Sequence, residues 1–172
     1  MSGHNKWSKI KHKKAITDAQ KSSVFSKLVR LIQVESKNAN GDVNSPGLKT
    51  AIEKAKKENM PKSNIEKAVK KGASDTGSSM DSVTYEAYGP GGVALMIDAL
   101  TDNKNRTSAE IKHILSKNGL SLSAPGSASW AFENKEPKTF VEISDEDSEK
   151  LDSIIEALEE QDDVQEVYNN KK

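Results

Sequence analysis

Val83-Thr84-Tyr85-Glu86-Ala87-Tyr88, then Gly89-Pro90-Gly91-Gly92, then Val93-Ala94-Leu95-Met96-Ile97-Asp98-Ala99 sets the fold class of this 172-residue chain. Val83, Tyr85 and Ala87 alternate with polar neighbours, the period of two that builds a half-buried strand. Gly89-Pro90-Gly91-Gly92 is a tight turn. Residues 93–99 are almost continuously apolar, which a strand needs when both its faces are covered, so this strand is predicted to be central in its sheet.

Downstream, Thr101-Asp102-Asn103-Lys104-Asn105 leads into a helix with Ile111, Ile114 and Leu115 turned inward, and Asn118-Gly119 ends it. Residues 129–132 and 139–143 read as strands joined by a turn at 134–137. Ser144 is a good N-cap, with Asp145, Glu146 and Asp147 in the first turn where the helix dipole favours anions. Leu151, Ile154, Ile155 and Leu158 form one apolar stripe, and Val164, Glu166 and Tyr168 close with an edge strand. From Val93 the order is strand, helix, strand, strand, helix, strand, the ferredoxin-like βαββαβ order. Residues 83–88 add an extra leading strand, and helices cover one face of a largely antiparallel sheet.

Upstream, residues 73–82 are rich in Gly, Ser, Asp and Thr and read as a linker. Before them the period is helical. Val24, Phe25, Leu28, Val29 and Ile32 form one stripe, Leu48, Ala51, Ile52 and Ala55 a second, and Ile65, Ala68 and Val69 a third. Turn clusters at 38–42 and 44–47 separate the first two. Pro61 is placed at the first position of the third helix, and Gly72 stops it. None of these stripes can be buried alone, so the three helices are predicted to pack as a bundle. Residues 1–14 hold too few apolar positions for a core and read as a basic arm. The predicted class is α+β. Residues 1–78 form a helical basic domain with arm and linker, and residues 79–172 an α+β domain.

The chain carries 26 Lys+Arg and 26 Asp+Glu, a formal net charge of zero. That neutrality hides a split: residues 1–72 hold 17 basic and 6 acidic side chains, and residues 73–172 hold 9 and 20. A net of +11 facing −11 points to a polyanion partner at the basic end. The acidic half is expected to keep the chain from holding nucleic acid indiscriminately. Lysines neutralise phosphates and release counterions, which gives affinity without reading bases. Candidate phosphate contacts are Lys6, Lys9, Lys11, Lys13, Lys14, Lys21, Lys27 and Arg30, with Trp7 and His12 positioning or stacking. Trp7 can equally anchor the arm on the bundle. Lys104 and Arg106 form a secondary candidate at a strand end and helix start, where exposed N–H groups suit a phosphate. The plainer alternative there is helix capping by Asn105 or Thr107.

Other chemistries find little support. The sequence has no cysteine, which excludes a disulfide scaffold, a thiol nucleophile and a thiolate metal site. The three histidines, His4, His12 and His113, lack the i, i+4 spacing of a helical zinc site, so no metal is expected. Gly72 to Ser79 has P-loop glycine spacing without the lysine, and Gly89-Pro90-Gly91-Gly92 joins two strands instead of opening a helix. Asp98 and Asp102 could pair, but nothing electrophilic accompanies them. No nucleophile elbow is present. The expectation is therefore no enzyme, no cofactor and no small-molecule substrate. The longest apolar run, residues 93–97, is too short to cross a bilayer, and Met1 to Lys6 shows no signal-peptide core. A cytoplasmic protein without a membrane partner is expected.

Several segments together resemble the YebC/PmpR family. Gly3-His4-Asn5-Lys6-Trp7, Ile10-Lys11-His12-Lys13-Lys14-Ala15 and Phe25-Ser26-Lys27-Leu28 look like its opening. Asn59-Met60-Pro61-Lys62-Ser63-Asn64-Ile65-Glu66-Lys67-Ala68 and Lys70-Lys71-Gly72 continue the likeness. The most specific pieces are Tyr85-Glu86-Ala87-Tyr88-Gly89-Pro90-Gly91-Gly92-Val93-Ala94 and Leu100-Thr101-Asp102-Asn103-Lys104-Asn105-Arg106-Thr107, and Asp162 to Tyr168 extends the likeness to the end. The resemblance implies a non-enzymatic, DNA-binding transcriptional regulator. It implies as an alternative a ribosome- or ribosomal-RNA-associated translational activator that relieves stalling on proline-rich sequences. The charge split leaves a further alternative, a protein-interaction adaptor whose acidic half docks a basic partner. The resemblance also implies a missing piece. Full-length members carry a further small domain where Asn134-Lys135-Glu136-Pro137 joins two strands here, and a hairpin loop tolerates such a loss because its ends are already adjacent.

Overall fold

The computed structural model describes residues 18–75 and 80–172. The chain divides into a helical unit within residues 15–81 and an α+β unit holding residues 82–172.

The helical unit consists of α1 (Asp18–Asn38), α2 (Pro46–Lys57) and α3 (Lys62–Ser74). The predicted stripes supply its core: Leu28 and Ile32 of α1, Leu48, Ala51 and Ala55 of α2, and Ile65 and Ala68 of α3 are buried. α1 contacts both other helices. Its approach to α3 is close because Gly72 has no side chain, and a Cβ there would lie 2.3 Å from the Gln33 carbonyl oxygen. The buried Ser36 hydroxyl donates to the Val69 carbonyl at 2.6 Å across the same seam. α2 ends in a left-handed Asn59 (φ 60°), with Met60 N–H donating to Ala55 O and Asn59 N–H to Lys56 O. This Schellman closure satisfies the last carbonyls and buries the Met60 side chain. Pro61 occupies the N-cap of α3, one position before its predicted place.

The α+β unit runs β1 (Asp81–Tyr88), β2 (Ala94–Thr101), α4 (Lys104–Lys117), β3 (Leu122–Ser123), β4 (Phe132–Glu133), β5 (Glu136–Pro137), α5 (Asp145–Glu160) and β6 (Val164–Asn169). The main sheet has the order β3-β1-β2-β6. β2 and β6 pair antiparallel from Leu95↔Asn169 to Ala99↔Val164, with a bulge at Asp98/Ala99, and β1 pairs antiparallel with β3. As the apolar run predicts, β2 is internal. Val93, Leu95 and Ile97 meet Ile111 and Leu115 of α4 and Leu151, Ile154, Ile155 and Leu158 of α5. Ala94 and Met96 point the other way, to Ala128, Ala131, Phe132, Tyr88 and Tyr168.

The helices and the antiparallel sheet stand as predicted. The ferredoxin-like strand order needs correction at its two middle strands. Residues 129–131 form a 3₁₀ turn, and only Phe132 and Glu133 continue as β4, which pairs with β5 in a separate two-stranded sheet. Within 139–143 a single parallel bridge, Val141↔Lys171, remains. The physical reason is competition for the backbone: Lys138 and Thr139 N–H both turn to the Ala131 carbonyl. Their place in the main sheet is taken by β1, which lies inside the sheet instead of preceding it, and by the short β3, which no local pattern marks. Gly91 sits in the left-handed region (φ 71°) in the β1–β2 turn, where a Cβ would lie 2.4 Å from Ile143 Cγ2.

Candidate nucleic-acid interface

Of the predicted contacts, Lys6, Trp7, Lys9, Lys11, His12, Lys13 and Lys14 lie outside the described residues. Lys21 is exposed on α1. Lys27 is only 5 % exposed, on the buried side of α1 next to Leu28, and Arg30 is half-buried; both already engage neighbouring groups. The basic character of the helical unit persists on its surface, where Lys49, Lys54, Lys57, Lys67, Lys70 and Lys71 are exposed.

Lys104 and Arg106 sit in a different setting. The Asn103 side chain caps α4 by accepting from Arg106 N–H at 3.1 Å, so the cap is neither Asn105 nor Thr107. Arg106 Nη2 donates to Asp102 Oδ1 (2.8 Å) and Asp163 Oδ2 (3.0 Å). The Asp163 side chain is 3 % exposed. It also accepts from the Thr107 hydroxyl at 2.7 Å, and Thr107 lies 2.7 Å from Thr101 Oγ1. Gln161 closes the cluster, its side-chain oxygen accepting from Asp163 N–H (2.7 Å) and Val164 N–H (3.0 Å). A buried carboxylate is tolerable only when paired and hydrogen-bonded, and Arg106 and Thr107 supply that pairing to Asp163. The segment is thus a clasp between the start of α4 and the start of β6, and its guanidinium is held by two carboxylates. Thr107→Val leaves Asp163 with one donor fewer in a buried site, an expected loss of about 1–2 kcal/mol in urea unfolding.

The other structural centre that sequence reasoning missed is Glu86. It is buried on β1, and its carboxylate accepts three backbone N–H groups: Gly126 (2.7 Å), Ala128 (2.7 Å) and Ser129 (2.8 Å). Burial alone would raise this carboxyl. The three backbone donors outweigh it and hold Glu86 below the ordinary carboxylate range. Glu86 thereby pins residues 126–129 onto the outer face of the sheet. Nearby, Trp130 Nε1 donates to Tyr88 Oη at 2.9 Å, and Tyr88 in turn donates to the Ser127 carbonyl. An acid on the outward phase of β1 opposite a Gly/Ser loop was the available signal, but the partners lie some forty residues away in sequence.

Among the described residues no cluster of His, Cys, Asp or Glu could hold a metal ion, and no helix is long and apolar enough to cross a membrane.

A basic helical unit and an acidic α+β unit on one chain define a two-module protein. The chain belongs to the TACO1/YebC family. It matches the TACO1/YebC N-terminal domain over residues 5–75, and the second and third domain over residues 80–136 and 134–171. Similar proteins are named "Probable transcriptional regulatory protein". One from Petrotoga mobilis is 48 % identical over 157 residues, covering 90 % of this chain and 61 % of its own length. One from Fervidobacterium nodosum is 38 % identical over 235 positions, covering 99 % of this chain and 93 % of its own. A conserved hypothetical protein from Aquifex aeolicus superposes with a TM-score of 0.85 at 33 % identity, covering 97 % of this chain and 96 % of that one. The Fervidobacterium alignment runs longer than this chain, so that relative carries a segment absent here. The two pieces of the second match meet at 134–136, which is the β4–β5 hairpin.

Proposed function

We propose that this protein is a non-enzymatic regulator of gene expression that docks its basic N-terminal half on a nucleic-acid backbone, acting as a DNA-binding transcriptional regulator. The observation that carries this reading is the +11 charge of residues 1–72, in a chain whose relatives are named probable transcriptional regulatory proteins. Lys6, Lys9, Lys11, Lys13, Lys14 and Lys21 supply point charges for phosphates, and Trp7 and His12 orient the arm. Lys27 and Arg30 contribute where their existing partners release them, and Lys104 and Arg106 are secondary. A cytoplasmic location goes with this reading.

One feature favours the second reading, ribosomal RNA bound by a translation factor. Residues 1–72 contain a single arginine, Arg30, against sixteen lysines. Planar, bidentate reading of base edges is arginine's strength, whereas lysine suits a backbone read by charge and shape. Sequencing the nucleic acid cross-linked to the full chain in cells separates the two. Enrichment of promoter DNA, with a preferred duplex bound about a thousandfold or more over random duplex, is the expected result. Recovery of ribosomal RNA without any duplex preference overturns the DNA reading in favour of the translation one.

A further inference from the structure

We propose that Trp130 and Phe140 form a stacking platform for an unpaired RNA base, a contact separate from the basic arm. It rests on the nucleic-acid reading above and adds to it a site on the α+β unit.

The β4–β5 hairpin brings the two rings to one place. Phe132 pairs with Pro137 and Glu133 with Glu136. The Lys138 and Thr139 N–H bonds to the Ala131 carbonyl carry the pairing on, which sets the chain around Trp130 beside the chain around Phe140. Among the described residues of the α+β unit, these two are the exposed large hydrophobics, Trp130 at 56 % and Phe140 at 53 %. Ala131 and Phe132 between them are buried, packed with Ala94 and Met96 on the sheet.

Trp130 is held from two sides. Its backbone follows directly on Ala128 and Ser129, whose amides Glu86 pins. Its indole Nε1 donates to Tyr88 Oη at 2.9 Å, and Tyr88 donates on to the Ser127 carbonyl. The one donor of the ring is therefore occupied inside the protein, and what the ring offers outward is π surface. An aromatic side chain ordered beforehand avoids the ordering cost on binding. A π face without a free donor accepts any base, as a stacking platform does.

The charge around the rings differs from that of the rest of the unit. Residues 73–172 carry 9 basic side chains against 20 acidic ones. Four of the nine, Lys135, Lys138, Lys171 and Lys172, lie in or beside the hairpin strands, the last two through the Val141↔Lys171 bridge and the Lys172 N–H bond to the Val141 carbonyl. The acids of the same segments are Glu133, Glu136 and Glu142, which leaves a local net of +1. Lys135 is engaged with Asp98 and lies over the Tyr168 ring, and Lys172 pairs with Glu142. Lys138, two residues before Phe140, is exposed and in no ion pair among the described residues, so it is the cation for the phosphate next to a stacked base. Exposed aromatics interleaved with lysines favour a nucleic acid over a protein, because one surface then meets both base and phosphate. RNA is the source: a duplex keeps its base faces in its own stack, whereas RNA loops and single strands splay bases onto aromatic rings.

The test uses the two tryptophans of the chain, Trp7 and Trp130. Trp7→Phe in the full chain leaves Trp130 as the one indole emitter. The probe is a mixed-sequence single-stranded RNA of about twelve nucleotides, within the span that such surfaces cover. Titrated to saturation, it should quench Trp130 emission, and the same strand annealed to its complement should not. In the otherwise unaltered full chain, Trp130→Leu keeps apolar bulk and loses the π face. Its affinity for the single strand should fall by between about 5-fold and about 150-fold, the range for one lost base stack. The salt slope should stay that of the wild type, because no phosphate contact is lost. Trp130→Phe should recover most of the affinity. If the RNA binds with Trp130 emission unchanged and Trp130→Leu binds as the wild type does, the platform is overturned and the reading of the arm stands. If Trp130 emission instead shifts as protein concentration rises without RNA, and sedimentation shows larger species that Trp130→Leu abolishes, the rings form a protein contact and the platform is overturned. If the wild-type chain binds neither the single strand nor a duplex, the nucleic-acid reading itself falls.

Discussion

Removing residues 1–14 will weaken nucleic-acid binding more than any other single change to the chain, and will flatten its salt dependence. The segment carries five lysines and no acid, and its loss takes residues 1–72 from a net +11 to +6. If each lysine neutralises one phosphate, five released counterions at about 0.9 per contact lower the slope on duplex DNA by about 4.5. A circular-dichroism spectrum that keeps the helical signal of the intact chain separates lost contacts from a general loss of fold. Fluorescence anisotropy across a salt series measures the slope. Unchanged affinity and slope after the deletion would place the interface elsewhere on the chain. Trp7→Ala in the intact chain distinguishes its two roles. A stacking tryptophan costs about 1–3 kcal/mol of binding to single strands, whereas an anchoring one lowers thermal stability.

The largest stability effect is expected at Glu86. Its carboxylate is the common acceptor for Gly126, Ala128 and Ser129 N–H. Glu86→Ala strands these donors beneath the loop, and water can reach Gly126 more readily than the buried Ala128. Hydrogen bonds to a charged group contribute about 1.5–3 kcal/mol each, and partial rehydration offsets some of the loss, so about 3–4 kcal/mol is expected in urea unfolding. Glu86→Gln removes the charge and turns an NH₂ toward N–H donors, so it should lose a comparable amount. The pH dependence gives a second readout. The folded carboxyl is held below its ordinary value, so its stabilisation is complete above about pH 4.3, the unfolded value, and fades as pH falls through the lower folded one. The Gln variant lacks that part of the acid transition. A variant as stable as wild type, with the same acid profile, would show that residues 126–129 hold their place without Glu86.

The elements legible in the sequence are those set by local rules. Helix stripes such as Leu151, Ile154, Ile155 and Leu158 appear as period 3.6 because each residue's neighbours on the helix are three and four positions away. Ser144 as N-cap of α5 and Gly119 closing α4 need only the residues around them. The internal position of β2 shows in its unbroken apolar run, because both faces are covered. The strands predicted at residues 129–132 and 139–143 do not join the main sheet, for the same reason in reverse. Their β-branched and aromatic residues carry strand propensity, but propensity is a weak prior when the Ala131 carbonyl draws in the backbone of Lys138 and Thr139.

What the sequence alone determined is the division into a basic helical half and an acidic α+β half, the helix register, and a family likeness spread along almost the whole chain. Tertiary structure decided the rest. It turned Lys27 to the buried side of α1, and it bound Arg106 to Asp163, fifty-seven residues away. It seated Glu86 among amides some forty residues downstream. The physical reason is range. Charge totals and helical periods are sums over neighbours in sequence. Whether a given lysine or carboxylate meets solvent, a counter-ion or a ring of backbone N–H groups depends on which distant segments fold against it.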